Sequence, residues 1–130
     1  MLVIISAYVF AILSFVIILF QLGLTIGMPW GAASMGGKFP GKYPHRMRVV
    51  SLINIFIISF IAAIVLIKSE IIWLQFKSFA NVAIYFVVVF SVVATILNTI
   101  TQSKIERKIW LPVALVLLVT SIIVAFGIGV

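Results

Sequence analysis

Four long stretches without any charged side chain constrain the fold of this chain more than any other feature. They cover residues 1–37, 49–67, 78–103 and 109–130. A helix needs about 20 apolar residues to cross the roughly 30 Å hydrocarbon core of a bilayer. Each stretch is therefore long enough for one membrane span and too short for two. Only 8% of the residues are charged and 65% are hydrophobic, which leaves too few polar side chains to cover a soluble domain.

The four stretches predict an all-α membrane protein, a bundle of four antiparallel transmembrane helices in a single domain over residues 1–130. Membrane β-strands are excluded because they would alternate apolar and polar residues over about 10 positions, whereas segments such as 87–90 are apolar without a break. With no water to satisfy the backbone, helices are the remaining solution. The predicted helices lie at about 2–26, 48–67, 80–101 and 110–129, with a Gly/Pro-rich cytoplasmic loop at 27–46.

The distribution of Lys and Arg predicts the orientation of the bundle. Loops one and three share one side of a four-span protein, whereas the second loop holds only Lys68 and Lys77. Loops one and three together hold Lys38, Lys42, Arg46, Arg48, Lys104, Arg107 and Lys108. Because cytoplasmic loops are enriched in Lys and Arg, we expect these two loops in the cytoplasm and both termini outside. The formal net charge of +7 reflects this asymmetry and requires no nucleic-acid partner.

Loop one differs in composition from the rest of the chain. Residues 27–46 hold five of the eight glycines and three of the four prolines, and proline prevents a continuous helix. The segment 29–35 is nevertheless rich in apolar residues. Two interpretations stay open: this segment packs under the helix bundle, or it is an interfacial anchor held by Trp30, Phe39 and Tyr43.

The same loop and its flanks carry a distinctive run of residues that covers about a fifth of the chain. The run consists of Gly27-Met28-Pro29-Trp30-Gly31, then Gly36-Gly37, then Pro40-Gly41, then Pro44, and then Arg46 to Val49. It resembles a signature of uncharacterised small bacterial four-span integral membrane proteins with a GxPWG…GG first loop. The resemblance implies a four-span fold and a multi-pass location in a bacterial cytoplasmic membrane. It implies no activity and no catalytic residues.

The predicted spans contain polar side chains but no ionisable ones. Intramembrane Asp, Glu, Lys or Arg is the usual mark of proton or ion coupling, so a carboxylate-coupled exporter is not expected. One interpretation is that polar side chains line a narrow polar path. The candidate residues are Gln21, Asn54, Thr95 and Asn98. The alternative is that these side chains form hydrogen bonds between helices, each worth about 0.6 kcal/mol on average.

The spacing of Gly23 and Gly27 predicts a close helix contact. Their G-x-x-x-G pattern lets two helix backbones approach. The partner helix is expected either within the same chain or in a second copy of it, as in a homo-oligomer.

Catalysis, a cofactor and a metal site are not expected from the side chains available. The chain has no Cys and no Asp, one His and two Glu, and acid–base chemistry needs positioned titratable groups. We expect a non-enzymatic protein that acts through a membrane-protein partner or through contact with lipids of the bilayer. The predicted contact surface on loop one comprises Trp30, Lys38, Phe39, Lys42 and Arg46. The alternative is a small pore or carrier for a neutral or anionic solute, lined by the polar faces of helices one and three.

Overall fold

The structure, a computed structural model that describes residues 1–129, is a bundle of four helices. They are α1 (Leu2–Ile26), α2 (His45–Lys68), α3 (Lys77–Ile100) and α4 (Lys104–Phe126). All four are long and apolar enough to cross a membrane, and the described part of the chain contains no strand. The predicted all-α four-helix fold is confirmed. Val130, the last residue of the predicted domain 1–130, lies outside the described residues.

Three helices begin earlier than predicted. α2 starts at His45 instead of 48, so that loop one ends at residue 44 instead of 46, and α3 starts at Lys77 instead of 80. α4 starts at Lys104 instead of 110. The prediction started these helices at or after the charged residues. A helix can begin before the hydrocarbon core, however, because Lys and Arg keep their stems on apolar surface and their charges in water.

The two ends of α4 are set by local hydrogen bonds. The Ser103 hydroxyl accepts the Glu106 N–H at 3.1 Å and caps the first turn, which is the usual role of serine at this position. At the other end, Gly127 adopts a left-handed conformation with φ of 63°, and the helix stops at Phe126 instead of 129. A left-handed glycine is a common helix terminator.

Helices that follow one another in the chain lie side by side in the bundle. α1 packs extensively on α2, and α3 packs extensively on α4, whereas the contact between α2 and α3 is the least extensive of the four neighbouring pairs. Residues 27–44 and 101–103 lie at one end of the bundle, here called the loop-one end. Residues 69–76 and both termini lie at the far end, where the Met1 amino group donates to the Gly129 carbonyl at 3.3 Å.

The hydrophobic core fills the middle and far end of the bundle but not the loop-one end. Small side chains such as Ala7 and Ala80, both 0% exposed, let the helices approach closely there. The core continues through Phe10, Ile61, Ile64, Val65, Ile84, Val87, Leu117 and Val124. Towards the loop-one end the four helices instead surround a cavity of about 520 Å³. The bundle is thus packed at one end and hollow at the other.

This difference predicts opposite effects of one substitution at two positions of α3. Ala80→Leu places extra methyl groups in a filled core, and we expect it to lower stability by about 1–3 kcal/mol. Ala94→Leu adds the same groups at a position that lines the cavity, and we expect it to be tolerated. Thermal unfolding in detergent measures both effects. Equal losses of stability in the two variants would contradict the hollow end.

Candidate functional site: a cavity beneath loop one

The cavity at the loop-one end has mostly apolar walls and several polar and charged groups near its roof. Its volume of about 520 Å³ lies in the range of roughly 300–1,000 Å³ that is typical of small-molecule sites. Phe10, Ile61 and Leu117, which are buried in the core, line its deeper part together with the hydroxyl residues Ser14 and Ser91. Polar groups lie on the helix turns and loop segments near its roof: Gln21, Ser34, Lys38, Asn98, Thr101 and Glu106. This arrangement suits a molecule with one apolar part and one polar part.

Loop one forms the roof of the cavity because α4 holds it by hydrogen bonds. The Ser103 hydroxyl donates to the Ala32 carbonyl at 2.5 Å, and the Trp110 indole N–H donates to the Ala33 carbonyl at 3.0 Å. The Gly36 N–H donates to Oε2 of Glu106 at 3.0 Å. The segment so held consists of two short 3₁₀ turns, Gly31–Ala33 and Met35–Gly37.

Close backbone packing within loop one explains one of its glycines. A Cβ atom on Gly31 would lie 1.8 Å from the Phe39 carbonyl oxygen, so only glycine fits there. The Gly31 N–H donates to the Gly41 carbonyl at 2.9 Å and ties the two halves of the loop together. Met35, in the roof, has φ of 52°, a conformation that costs a non-glycine residue about 1–3 kcal/mol and is enriched at functional sites.

Glu106 is the site residue that the sequence analysis missed. It lies in the first turn of α4, is 8% exposed and lines the cavity. Counting charges assigned it to a loop, but Ser103 and Glu106 form the S-x-x-E pattern of a capping box, which marks a helix start. In a complete capping box the glutamate would bind the backbone N–H of Ser103. Here that N–H donates to the Thr101 hydroxyl at 3.2 Å, and the carboxylate binds loop one instead.

The predicted helix-packing glycines have other roles. A Cβ atom on Gly23 would lie 1.9 Å from the Trp30 ring, so this glycine accommodates a side chain of loop one and not a helix backbone. Gly27 has φ of 97° and ends α1, and the Met28 N–H after it donates to the Gly23 carbonyl at 2.9 Å. The left-handed turn at Gly27 returns the chain towards α1, so that loop one lies beside Gly23 and the side chain of Arg48 from α2 lies beside Gly27. A contact of these glycines with a second copy of the chain stays a prediction.

The aromatic residues of the predicted contact surface pack against the protein itself. Trp30 stacks on Phe20 with ring centroids 6.0 Å apart and is 40% exposed. Phe39 lies edge-on to Tyr43 with ring centroids 6.0 Å apart. The three basic residues predicted for that surface are all exposed, and Lys38 also lines the cavity. The structure thus divides the five predicted residues among three places.

Tyr43 anchors loop one to α1 and α2. Its side chain is 2% exposed and belongs to a small cluster with Leu24 and Met47. Burial raises the pKa of its phenol, a change that the Ser34 hydroxyl partly offsets and the Glu106 carboxylate increases. Tyr43 therefore stays neutral at physiological pH and fixes the loop by packing.

Only part of the predicted polar path faces the cavity. Gln21 and Asn98 line it, whereas Thr95 and Asn54 do not. The Thr95 hydroxyl donates to the Ser91 carbonyl at 2.8 Å, and the Asn98 amide donates to the Ala94 carbonyl at 2.7 Å. Both side-chain donors are thus satisfied by carbonyls of their own helix. These bonds are not the hydrogen bonds between helices that the sequence offered as an alternative to a polar path.

The far side of the cavity is closed by the hydrophobic core. Phe10, Ile61 and Leu117 line the cavity and also belong to that core. In this conformation the polar residues Gln21 and Asn98 therefore face a pocket and not a channel through the bundle.

No protein family matches this chain, and neither a curated protein nor a solved structure is detectably similar to it. The resemblance of loop one to small bacterial four-span proteins stays a prediction. The function is therefore inferred from the geometry of the cavity and of its roof.

The contact between Gly23 and Trp30 predicts that Gly23→Ala displaces Trp30 and loosens the roof, because the added methyl group overlaps the indole ring. A cysteine introduced at Ser34, which lines the cavity, has no native thiol background. We expect it to react several-fold faster with a water-soluble thiol reagent in the Gly23→Ala protein. Leu22→Ala, at an exposed position of the same turn, is the control and should leave the rate unchanged. Equal rates in both variants would show that Trp30 does not hold the roof closed.

Proposed function

We propose that this is a non-enzymatic membrane protein that binds an amphiphilic, lipid-like molecule in the cavity beneath loop one. The observation that carries this proposal is the distribution of side chains around the cavity. Its walls are mostly apolar, and its larger polar and charged groups lie near the roof, while the hydroxyls of Ser14 and Ser91 are the polar groups further in. Ligand sites of this kind combine apolar walls with a few placed polar groups that fix orientation.

The residues around the cavity support entry of a lipid-like ligand from the bilayer. Leu97 and Ile100 line the cavity, and they are also 56% and 68% exposed. The cavity wall at the end of α3 is therefore also a surface that lipid chains contact in a membrane. The contact between α2 and α3 is the least extensive of the four neighbouring helix pairs, which favours opening of the bundle on this side.

Lipid contact is better supported than a protein partner bound to the outer surface of loop one. Aromatic residues are the usual energetic anchors of protein interfaces. Trp30 and Phe39, the aromatic members of the predicted contact surface, are already packed against α1 and Tyr43. The exposed remainder, Lys42 and Arg46, matches the anionic surface of a membrane, where each basic residue contributes about 1 kcal/mol.

A carrier for a small neutral or anionic solute is the second candidate. Gln21 and Asn98 line the cavity, and they supply hydrogen-bond donors and acceptors of the kind a solute site needs. Such a carrier has to open the core at Phe10, Ile61 and Leu117 during each cycle, because these residues close the cavity on its far side. Binding of a lipid-like molecule requires no such rearrangement.

We further propose that the protein lies in a bacterial cytoplasmic membrane, with the loop-one end in the cytoplasm and both termini outside. The excess of Lys and Arg in loops one and three supports this orientation. The resemblance of loop one supports the bacterial source. In this orientation the cavity is near the cytoplasmic leaflet.

Cavity binding is tested with a phospholipid that carries a diazirine on its acyl chain, incorporated in proteoliposomes. After illumination, we expect lipid adducts on Ser14 and Ile17, which line the cavity, as well as on Phe15, which is 59% exposed on the same helix. Ala94→Phe fills part of the cavity and should lower labelling of Ser14 and Ile17 several-fold while Phe15 serves as the internal control. Adducts confined to Phe15 and other outward-facing residues would contradict the proposal.

The orientation is tested with single cysteines in this cysteine-free chain. At the far end, Gln75 is the labelling position, because Ser69 in the same loop is only 7% exposed. Lys42 is the labelling position at the loop-one end. In intact cells, a membrane-impermeant thiol reagent should modify Gln75→Cys and leave Lys42→Cys untouched until the membrane is permeabilised. The reverse pattern would overturn the orientation.

A further inference from the structure

The two acidic residues of the chain differ in their partners. Glu70 at the far end forms an ion pair with Lys77, and the hydrogen bond from Lys77 lowers the pKa of its carboxyl. Glu106 lies in the cavity wall and is 8% exposed. Within residues 1–129, no Lys, Arg or His nitrogen lies within 4.0 Å of its carboxylate. The protein thus places an unpaired acidic group at the polar end of its cavity.

The Glu106 carboxylate has capacity for further hydrogen bonds. An ionised carboxylate offers about four lone-pair positions, and the structure shows one protein donor, the Gly36 N–H on Oε2. Glu106 also lies in the first turn of α4, the end of a helix that attracts negative groups. A buried charge that lacks a partner is unfavourable, so a cation from the cavity would gain both a charge partner and free acceptor positions.

The rim of the cavity also carries an unpaired positive charge. Lys38 lines the cavity at its roof and forms no ion pair with either glutamate among the described residues. Lys104, Arg107 and Lys108 lie on the first turns of α4 near the same end. A negative group is therefore accommodated at the rim and a positive group beside Glu106. A head group that carries both charges matches this order.

On these grounds, and resting on the proposed function, we propose the chemical class of the ligand. The cavity binds an amphiphile whose head group carries a primary ammonium group next to a phosphate, with the ammonium at Glu106 and the phosphate at Lys38. The apolar chain extends towards Phe10, Phe90 and Leu117. A phosphoethanolamine lipid has this chemistry. Its ammonium offers three N–H donors to the carboxylate, which the trimethylammonium of phosphocholine lacks.

The test compares three photoreactive phospholipids with the same diazirine acyl chain and different head groups: phosphoethanolamine, phosphocholine and phosphoglycerol. The measured quantity is labelling of Ser14 and Ile17 divided by labelling of the outward-facing Phe15. We expect this ratio to be about tenfold higher for phosphoethanolamine than for phosphoglycerol, in line with a hydrogen bond to a charged group. Phosphocholine should give an intermediate ratio.

Glu106→Gln should remove the preference for phosphoethanolamine, because the amide carries no charge but can still accept the Gly36 N–H and keep the roof in place. Glu70→Gln, at the far end, is the matched control and should keep the preference. Lys38→Gln should lower cavity labelling by phosphoethanolamine without changing labelling of Phe15. Lys38→Gln tests the head-group site independently of α4 and of the cap at its first turn.

The possible failures are distinguishable. Equal labelling of the cavity by all three lipids, a preference for phosphoglycerol, or an unchanged preference in Glu106→Gln would overturn the head-group assignment while leaving cavity binding intact. Absence of adducts on Ser14 and Ile17 with every lipid would overturn the proposed function and this inference together.

Discussion

The docking of loop one on the first turn of α4 is the interaction on which the rest of the site depends. Three side chains at the start of α4 bind backbone groups of the loop: Ser103, which caps the helix, and Glu106 and Trp110 within it. Without these bonds the backbone of the two 3₁₀ turns would need water, and an open loop would expose the apolar cavity to it. In a membrane protein, irregular backbone is tolerated only where protein or water satisfies it. Here α4 does so, and a partly open pocket beneath loop one results.

Packing at the far end of the bundle makes the open space at the other end possible. The small side chains of Ala7 and Ala80 bring the helices together there, and larger apolar residues fill the remaining volume. Towards loop one, the same helices carry Gln21, Asn98 and Glu106 on their inner faces. The far end of the bundle is therefore stabilised by packing, and the loop-one end carries the polar groups of the candidate site.

The sequence predicted the span count and the fold, because the free energy of burying charge in lipid restricts helices to charge-free stretches. The sequence-based prediction placed the start of α4 too late. The thickness of the hydrocarbon core limits where charged side chains lie, but it does not limit where a helix begins. The prediction singled out loop one and included Gln21 and Asn98, yet it missed Glu106, although the S-x-x-E spacing was visible. The cavity itself was beyond reach. It depends on the docking of loop one on α4, and neither that docking nor the contact of Trp30 with Gly23 has a signature in the spacing of apolar residues.

The carboxylate in the cavity wall and the strained Met35 in the roof both oppose stability. Glu106 is buried with a single protein donor among the described residues, and a buried charge without a partner is unfavourable. Met35 has φ of 52°, a conformation that costs a non-glycine residue about 1–3 kcal/mol. A ligand that pairs with the carboxylate, as proposed above, would offset the first of these costs, and a ligand present at a hundred times its Kd adds about 2.7 kcal/mol to the free energy of unfolding. Two unfavourable terms thus lie in the wall and the roof of the same cavity, and this coincidence is the physical ground for proposing a binding site there.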